Sequence, residues 1–383
     1  MDPWFAKVKR MYVHGYSILN QSNLKCAYNS NQTVHLCVEV GLVRGYPSDT
    51  KRDSPSLCKH IPLKFMTKIV TLTLNPALDK STEVEKLVAE KKMRCSAMRL
   101  DAGGGGINVS KAIRKLGSET VAVFPCGGHN GEVLCNLLEH DGVSIQPVQV
   151  DGEVRENISV RDLSTNAQYR LTMPGLTLKE KDADLCLEQI RSLRPEFLVA
   201  SGSLPPGIRD TYYEKVAGFA KEIKAKFILD TSGKPLHAAA DEGLFLLKPN
   251  IDELSALAGV PGLELNQVDD AAADIIRLGK CEIVVVSLGP QGAIIVTKDG
   301  AEHIPAPMVQ KQTTVGAGDS MVAGMVWALG EGKTFREMGQ IGVACGSAAT
   351  MNAGTSLFNT EDVWRLYQWI RTYGERYRIK DFT

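Results

Sequence analysis

The chain has 383 residues, and its 44 Lys or Arg equal its 44 Asp or Glu. This length can bury a large core, and the charge balance argues against nucleic acid or a membrane surface as partner. Nine cysteines without a CxxC pair, seven histidines without zinc spacing and no long apolar stretch predict a cytoplasmic protein with reduced thiols, without a zinc site or a membrane span.

The first 65 residues differ in texture from the rest of the chain. They hold nine Lys or Arg against four Asp or Glu, and they show neither a sustained helical period nor clean strand alternation. At Met66 the pattern changes abruptly to that of a buried strand, MTKIVTLTLNP. Because Met66 can itself initiate translation, we expect residues 1–65 to be an N-terminal extension of unknown role, from a misplaced start codon or from cloning; a functional appendage is the alternative.

From Met66 onward, apolar runs rich in β-branched residues alternate with amphipathic helical patterns. In chain order these are IVTLTL, INVSKAIRKLG, TVAVFP, GEVLCNLLEHDG, FLVASGS, TYYEKVAGFAKEIKA, KFILDTS, LFLLKPN, DELSALAG, AAADIIRLG and EIVVVSLG. Strands that are apolar throughout, each followed by a helix, are typical of a parallel sheet covered on both faces. The sequence therefore predicts an α/β fold with a doubly wound, mostly parallel sheet within residues 66–383.

Two segments depart from this rhythm. Residues of about 80–101 and about 150–175 alternate apolar with polar side chains, as half-exposed antiparallel strands do. We expect them to form a small β-sheet that lies over one edge of the main domain as a lid.

Polar or glycine-rich residues follow several of the predicted strands. Asp79 lies in NPALD after the first strand, and Ser201 and Ser203 lie in SGSLPPG after a later one. Ligands of open parallel sheets bind beyond the carboxyl ends of the strands. We therefore expect the binding site at that edge.

The segment TTVGAGDS, residues 313–320, combines a turn of small residues with an acid at the start of an apolar helix. Gly316, Ala317 and Gly318 leave backbone N–H groups open to an anion, and the helix dipole favours negative charge there. The carboxylate of Asp319, kept ionised by the same dipole, can accept a proton from an alcohol beside that anion. This combination indicates phosphoryl transfer; a purely structural N-cap at Asp319 is the alternative.

A second glycine-rich segment, DAGGGGINVSK at residues 101–111, also opens an amphipathic helix. Four consecutive glycines are unfavourable for stability and suit the close approach of a ligand, although a flexible loop remains an alternative. The sequence contains no GxxxxGK[ST], GxGxxG or GxSxG motif. This absence argues against a P-loop, a dinucleotide fold and a hydrolase nucleophile elbow.

In this order and spacing, NPALD, GGGGIN, SGSLPPG, KPN followed by Glu253, VSLGPQG and VGAGDS resemble the ribokinase-like (PfkB) family of sugar kinases. The resemblance runs from about Met66 to near residue 370. It implies the ribokinase-like α/β fold with a small β-sheet lid, and it does not include residues 1–65.

The resemblance implies roles for the residues of these motifs. Asp319 would be the general base, with the N–H groups of Gly316, Ala317 and Gly318 facing the transferred phosphate. The residues implied to bind the sugar and its phosphate are Asp79, Gly104, Gly105, Asn108, Lys92, Arg94, Arg155 and Ser203. A turn cap for Asp79 and a surface salt bridge for Lys92 are the structural alternatives.

The resemblance also implies ATP and metal ions. The implied nucleotide contacts are Lys248, Asn250, Ser287, Gly289, Gly292, Val343 and Ser347. Glu253 would organise Mg²⁺ through water, which suits an ion that sheds its hydration shell reluctantly. A K⁺ ion near the anion hole would involve Val315, Ala349, Asn352 and Gly354.

The glycine run GGGG, where related 1-phosphofructokinases and tagatose-6-phosphate kinases typically read GGKG, resembles the 6-phosphofructokinase branch. The implied reaction transfers the γ-phosphate of ATP to the 1-hydroxyl of fructose 6-phosphate and gives fructose 1,6-bisphosphate, a step of glycolysis. Tagatose-6-phosphate kinase and 1-phosphofructokinase are the alternatives, and a non-catalytic sugar or nucleotide sensor is a different class, against which Asp319 argues. The resemblance further implies a homodimer formed through the lid.

Overall fold

The computed structural model describes residues 24–28, 34–38, 68–352 and 356–377. The chain separates into two compact units, Met1–Phe65 and Met66–Thr383. In the first unit, strands β1 (Leu24–Tyr28) and β2 (Val34–Val38) pair in antiparallel fashion. The sequence does not predict this pairing, because residues 1–65 show neither an apolar run nor a clean alternation.

The strands of the second unit are β3 (Ile69–Leu72), β4 (Ala77–Val84), β5 (Arg99–Gly103), β6 (Val121–Cys126), β7 (Ser144–Gln149), β8 (Arg155–Asp162), β9 (Gln168–Thr172), β10 (Phe197–Ser201), β11 (Lys226–Asp230), β12 (Leu244–Leu247), β13 (Cys281–Ser287), β14 (Ala293–Thr297) and β15 (Gly300–Ile304). Its helices are α1 (Gly105–Lys115), α2 (Gly128–His140), α3 (Glu180–Leu193), α4 (Tyr212–Glu222), α5 (Lys234–Ala240), α6 (Ile251–Ala258), α7 (Val268–Arg277), α8 (Ala317–Gly330), α9 (Phe335–Thr350) and α10 (Thr360–Tyr373).

The large sheet has nine strands in the order β15-β14-β13-β12-β11-β10-β3-β6-β7. Neighbouring strands from β13 to β7 are parallel, and β14 and β15 extend the edge as antiparallel partners. The predicted doubly wound, mostly parallel sheet is therefore confirmed.

Helices cover both faces of this sheet. Side chains of α3 to α7 pack with one set of strand residues, such as Val70 and Leu198, while α1, α8, α9 and α10 pack with the alternate set, such as Ile69 and Phe197. Because successive strand residues point to opposite faces, a strand covered on both sides must be apolar at every position. A third cluster packs α2 against β6.

The small sheet has the order β5-β4-β8-β9. Its outer pairs, β4 with β5 and β8 with β9, are antiparallel as expected. The central pair of β4 and β8 is parallel, so the expectation of antiparallel strands is wrong for this pair. Because β4 and β8 belong to different segments that each leave and re-enter the large domain, no hairpin fixes their relative direction.

Among the helices of the described residues, none has both the length and the apolar character needed to cross a bilayer.

Candidate active site

Helix α8 begins at the turn of small residues that the sequence singled out. Gly316 precedes the helix with a φ of 72°, and a Cβ atom there would also lie 2.7 Å from Leu357 Cδ2. Glycine is therefore required at this position for both conformation and space. A Cβ at Gly318 would lie 3.7 Å from Lys248 Nζ, so the amino group of Lys248 approaches the open first turn.

Asp319 lies in the first turn of α8, and its carboxylate accepts hydrogen bonds from two other elements. Asn108 Nδ2, on α1, donates to Oδ2 over 2.9 Å, and Ser201 Oγ, at the end of β10, donates to Oδ1 over 3.3 Å. The N-cap residue is Gly316. The carboxylate therefore connects α1, β10 and α8 and does not serve as the cap of its own helix.

The pKa of Asp319 is raised to about 6, first because the carboxyl is buried and second because of the negative charge of Asp230. The hydrogen bonds from Asn108 and Ser201 and the charge of Lys248 act in the opposite direction. A carboxyl with this pKa is mostly ionised at neutral pH and can still exchange its proton readily, which suits a general base.

Asp230 is a site residue that the sequence did not single out. It ends β11, and its carboxylate lies 3.2 Å from Lys248 Nζ and 3.4 Å from Ser201 Oγ. Burial disfavours the charge of Lys248, but the carboxylates of Asp230, Glu253 and Asp319 together outweigh this effect, and the pKa of Lys248 is raised. The sequence does contain an indication of Asp230, because this acid ends the buried strand FILD, and ligands bind beyond the carboxyl ends of such strands.

On the small sheet, Asp79 and Asn157 lie opposite each other in β4 and β8. Asn157 Nδ2 donates to Asp79 Oδ1 over 2.7 Å. Burial raises the pKa of Asp79, although Asn157 and the nearby Arg155 counteract it. The sequence pattern indicates Arg155 in VREN but not Asn157, two residues further on.

Arg155, at the start of β8, donates from one terminal nitrogen to Asn75 O over 3.2 Å and from the other to Met173 O over 3.5 Å. Asn75 Nδ2 in turn donates to Ser203 Oγ over 3.1 Å. The predicted residues Arg155 and Ser203 thus meet through Asn75, beside Asp79.

Lys92 and Arg94 are exposed in the connection between β4 and β5. Within residues 68–352 and 356–377, neither of them forms a hydrogen bond or ion pair with Asp79 or Arg155. The single chain therefore does not bring these two cations to the carboxylate of the small sheet.

The glycine run at the start of α1 lies against protein atoms. Gly104 has a φ of 116° and a Cβ there would lie 2.7 Å from Thr73 Cγ2, while a Cβ at Gly105 would overlap Ser201 Oγ. The expectation that these glycines make room for a ligand is thus incomplete. They let α1 approach β3 and β10 closely enough for Asn108 to reach Asp319.

Several polar atoms around this site are buried without a hydrogen-bond partner: Thr73 Oγ1, Asn108 Oδ1, Arg155 Nε and Asn157 Oδ1. Buried polar atoms of native proteins are nearly always satisfied. These donors and acceptors match a ligand rich in hydroxyl and anionic oxygens.

The predicted nucleotide residues lie at the ends of β12 and β13. Asn250 caps α6 and forms a β-bridge with Ser287. A short turn over Gly289–Gln291 follows, and Leu288 N donates to Gly292 O over 2.8 Å. A Cβ at Gly292 would overlap Ile304 O, so this glycine is required by packing.

Helix α9 carries the remaining predicted nucleotide positions. Val343 is buried in the core and Ser347 is half-buried. Between them, a Cβ at Gly346 would lie 3.3 Å from Ala317 O. Helix α9 therefore passes directly behind the turn that opens α8.

Glu253 completes a capping box at the start of α6. Its Oε2 accepts from Asn250 N over 2.9 Å, while Asn250 Oδ1 accepts from Glu253 N over 2.8 Å. Within the described part of the chain no group of three or more His, Cys, Asp or Glu can hold a metal ion. The carboxylates of Glu253 and Asp230, which both act on Lys248, fit a hydrated Mg²⁺ shared with phosphates rather than an ion enclosed by protein.

The residues implied for K⁺ lie where the segment before α8 meets the end of α9. Gln312 N and Thr313 N both donate to Thr350 O, and Asn352 Nδ2 donates to Ala348 O. These bonds bring Val315 towards Ala349 and Asn352, whose carbonyl groups are suitable ligands for a monovalent cation. Gly354 lies outside the described residues.

Comparison with known proteins finds sugar-phosphate kinases that are similar to this chain. The family model described as pfkB family carbohydrate kinase matches residues 71–362. The ATP-dependent 6-phosphofructokinase isozyme 2 of Escherichia coli is 42% identical over 310 residues, which are 80% of this chain and 99% of that protein. The 1-phosphofructokinase of Vibrio cholerae is 30% identical over 309 residues, 79% of this chain and 96% of that protein.

Solved structures give the same picture. Phosphofructokinase-2 from Escherichia coli in complex with potassium matches with a TM-score of 0.77 and 41% identity, over 80% of this chain and 100% of that one. The same protein in complex with fructose-6-phosphate matches with a TM-score of 0.76 and 39% identity, over 80% of this chain and 100% of that one. Its tetrameric inhibited form matches with a TM-score of 0.76 and 40% identity, over the same shares of both chains. The fold is ribokinase-like, as predicted, and this chain belongs to the PfkB family of carbohydrate kinases.

Proposed function

We propose that this protein is an ATP-dependent 6-phosphofructokinase. The observation that carries the proposal is the position of the Asp319 carboxylate. It is bonded to Asn108 and Ser201 at the mouth of the open glycine turn, so that a base and an anion-binding helix end occur together. Phosphoryl transfer to an alcohol requires this pair of functions.

In the proposed reaction, Asp319 accepts the proton of the sugar 1-hydroxyl as its oxygen attacks the γ-phosphorus of ATP. The bond from that phosphorus to the bridging oxygen of ADP breaks at the same time. The N–H groups at Gly316, Ala317 and Gly318 and the ammonium of Lys248 stabilise the charge on the transferred phosphoryl group. A base whose pKa of about 6 lies below neutral pH is available in its ionised form.

The sugar would be held by Asp79, Asn108 and Asn157 through its hydroxyls, with Gly104 and Gly105 setting the position of α1. Arg155 would bind the existing 6-phosphate, because its fork of donors suits phosphate oxygens and its Nε is buried without a partner. Lys92, Arg94 and Ser203 remain proposed contacts of the sugar phosphate.

ATP would bind along Lys248, Asn250, Ser287, Gly289, Gly292, Val343 and Ser347. Glu253 would hold the hydrated Mg²⁺, which neutralises phosphate charge when bound. A K⁺ ion at Val315, Ala349, Asn352 and Gly354 is part of the proposal, in keeping with the potassium complex of the Escherichia coli relative.

The choice of sugar phosphate rests on the relatives and on one motif. Identity is 42% to a 6-phosphofructokinase and 30% to a 1-phosphofructokinase, and the run GGGG lacks the lysine of the second branch. Fructose 6-phosphate is therefore the proposed substrate, ahead of tagatose 6-phosphate and fructose 1-phosphate. Residues 66–383 would be the catalytic domain, working in the cytoplasm in glycolysis.

We further propose that the small sheet serves as a lid and joins two copies of the chain. Leu100, Ile158 and Leu171 lie in one row across the small sheet, with Lys80 of β4 between Leu100 and Ile158. This row is on the face opposite Asp79 and Asn157. Leu171 is 53% exposed and Leu100 is 39% exposed. An apolar face on a narrow sheet is best covered by a second copy, which would also bring a neighbour's Lys92 to the site.

The test is an ADP-release assay of wild type and Asp319→Asn with Mg²⁺ and ATP, against fructose 6-phosphate, tagatose 6-phosphate and fructose 1-phosphate. We expect kcat/KM to be highest for fructose 6-phosphate. In Asp319→Asn we expect kcat to fall by about 10²- to 10⁴-fold, the usual contribution of a general base. Calorimetric titration is expected to show that this variant still binds the sugar phosphate and ATP.

Asp270→Asn is the matched control, because Asp270 is an exposed carboxylate in the first turn of α7. It should retain the wild-type rate. A near-normal rate in Asp319→Asn would contradict the assignment of the base. Preference for another sugar phosphate would move the protein to another branch of the family, and binding without turnover in wild type would favour the sensor.

A further inference from the structure

Two thiols meet at a cavity that the proposed reaction does not use. Cys126 is the last residue of β6, Cys135 lies in the middle of α2, and their sulfur atoms are 3.5 Å apart. Both line an open cavity of about 350 Å³, together with Glu132, Asn136 and other residues. Of the six cysteines within residues 68–352, all reduced, these two form a sulfur–sulfur contact.

The contact favours oxidation of the pair. A disulfide needs a sulfur–sulfur distance of about 2.05 Å, so the two atoms must approach by only about 1.5 Å. The hydrogen bond shared with Cys135 lowers the pKa of Cys126, while it and burial raise the pKa of Cys135. The shared hydrogen bond and the position of both sulfur atoms at the cavity favour Cys126 as the attacking thiol, with Cys135 as its partner.

Helix α2 contacts both this pair and the residue that precedes Arg155. A Cβ at Gly131 would lie 2.8 Å from Cys126 Sγ and 3.5 Å from Val154 Cγ2, so the first turn of α2 fills the space between them. Asn130 Nδ2 also donates to Val154 O over 2.9 Å. Val154 is fully buried and directly precedes Arg155.

We propose that Cys126 and Cys135 form a redox modification site, at which hydrogen peroxide produces a reversible intramolecular disulfide that displaces Arg155 through α2. The site itself stands apart from the proposed function, whereas its expected effect on sugar-phosphate binding rests on it. The carboxylates of Glu132 and Glu139 also line the cavity, which favours an uncharged oxidant over an anionic one.

The chemistry balances in two steps. The Cys126 thiolate attacks one oxygen of the peroxide, an S–O bond forms, the O–O bond breaks, and the departing hydroxide takes up a proton to become water. The sulfur of Cys135 then attacks Cys126 Sγ, an S–S bond forms, the S–O bond breaks, and the second oxygen leaves as water with the thiol proton. Two thiols are oxidised, one peroxide is reduced, and a dithiol reductant reverses the change.

The first measurement is peptide mass mapping of the full-length chain after treatment with hydrogen peroxide and alkylation of the remaining thiols. We expect a peptide cross-linked between Cys126 and Cys135 that disappears with dithiothreitol. The cross-link should persist in Cys95→Ser, because Cys95 is an exposed cysteine outside this pair. It should be absent from Cys135→Ser. Alkylation of both thiols in treated wild type, or pairing of either one with another cysteine, would overturn the proposal.

The second measurement compares oxidised and reduced wild type. We expect a several-fold higher KM for fructose 6-phosphate with unchanged KM for ATP, restored by dithiothreitol and absent in Cys135→Ser. Hydrogen exchange of residues 153–157 should increase on oxidation, and this readout does not depend on turnover. A cross-linked chain with unchanged exchange and unchanged sugar KM would show that the link from α2 to Arg155 is wrong.

Discussion

Asp319 is the residue whose protonation should control the rate. Burial raises its pKa to about 6. The carboxyl group is therefore ionised above this pH, and it becomes protonated as the pH falls through 6. We expect kcat/KM to be level above about pH 7 and to fall about tenfold per pH unit well below pH 6, since only the ionised base can take the proton. A pH–rate profile with saturating ATP checks this.

Ser201 offers a way to move that profile. Its hydroxyl donates a hydrogen bond to Asp319, and this bond lowers the pKa that burial raises. Ser201→Ala should therefore shift the acidic limb of the pH–rate profile to higher pH. Ser192→Ala, at an exposed position on α3, should leave the limb in place. A limb that does not move in Ser201→Ala would indicate that the titrating group is another residue.

Arg155 is expected to determine affinity for the sugar phosphate. Hydrogen bonds to charged groups contribute about 1.5–3 kcal/mol, or roughly 10- to 100-fold in affinity. Arg155→Ala should therefore raise the KM for fructose 6-phosphate by about this factor and leave the KM for ATP nearly unchanged. Initial rates at varied sugar phosphate and varied ATP measure the two constants separately.

Arg161 provides the comparison on the same strand. Its side chain is 40% exposed and bonds to Asn166 and Glu83, so Arg161→Ala should change neither constant. Equal effects of the two variants on sugar KM would mean that the loss comes from the strand and not from a phosphate contact.

At the scale of elements, two helices begin with the same capping box. Asn250 and Glu253 start α6, and Thr334 and Glu337 start α9. Glutamine can replace glutamate in such a box, so Glu253→Gln and Glu337→Gln should both keep their melting temperatures close to that of wild type. The charge lost in Glu253→Gln lies beside Lys248, whereas the charge lost in Glu337→Gln lies beside Lys333 and Arg371.

If Glu253 organises the hydrated Mg²⁺, Glu253→Gln should need a higher Mg²⁺ concentration for half-maximal velocity. Loss of an outer-shell partner typically costs about 10- to 100-fold in metal affinity. Titration of velocity with Mg²⁺ at fixed ATP gives this value, and Glu337→Gln should match wild type. The same Mg²⁺ dependence in both variants would remove Glu253 from the metal site.

The elements also explain what could be predicted from the sequence. Strands that are apolar throughout, such as IVTLTL, indicated a parallel sheet because only burial on both faces requires that composition. The direction of β4 relative to β8 could not be predicted, since it depends on pairing between distant segments. The glycines at residues 104 and 105 were recognised as unusual, but their contacts with Thr73 and Ser201 exist only in the folded chain.

The sequence predicts those site residues that stand in a local motif. It does not predict those whose role depends on contacts between distant strands. Asp319 and Asn108 stand in motifs whose glycines mark them. Asp230 and Asn157 have no such neighbours. Their importance comes from Lys248, which directly follows β12, and from Asp79 on β4. Single-sequence patterns contain no information on such pairs.

At the scale of the whole molecule, the two faces of the small sheet differ in character. One carries the polar pair Asp79 and Asn157, and the other carries exposed apolar side chains. Asp79 and Asn157 occupy one face, and every residue of β9 is exposed. Side chains alternate between the two faces of a strand. The apolar set that includes Leu171 and Tyr169 therefore points away from the carboxylate, where a second copy of the chain can cover it.

We expect Leu171→Glu to break this association, because it places a charge among the exposed apolar side chains of the proposed interface. Light scattering during gel filtration should show a dimer or larger assembly for wild type and a monomer for the variant. Leu278→Glu, at a position that is 70% exposed at the end of α7, should retain the wild-type mass. The monomer should also have a higher KM for fructose 6-phosphate, since the neighbour's Lys92 is lost from the site. A variant of wild-type mass would contradict an interface on this face, and a fully active monomer would show that each chain binds its sugar phosphate alone.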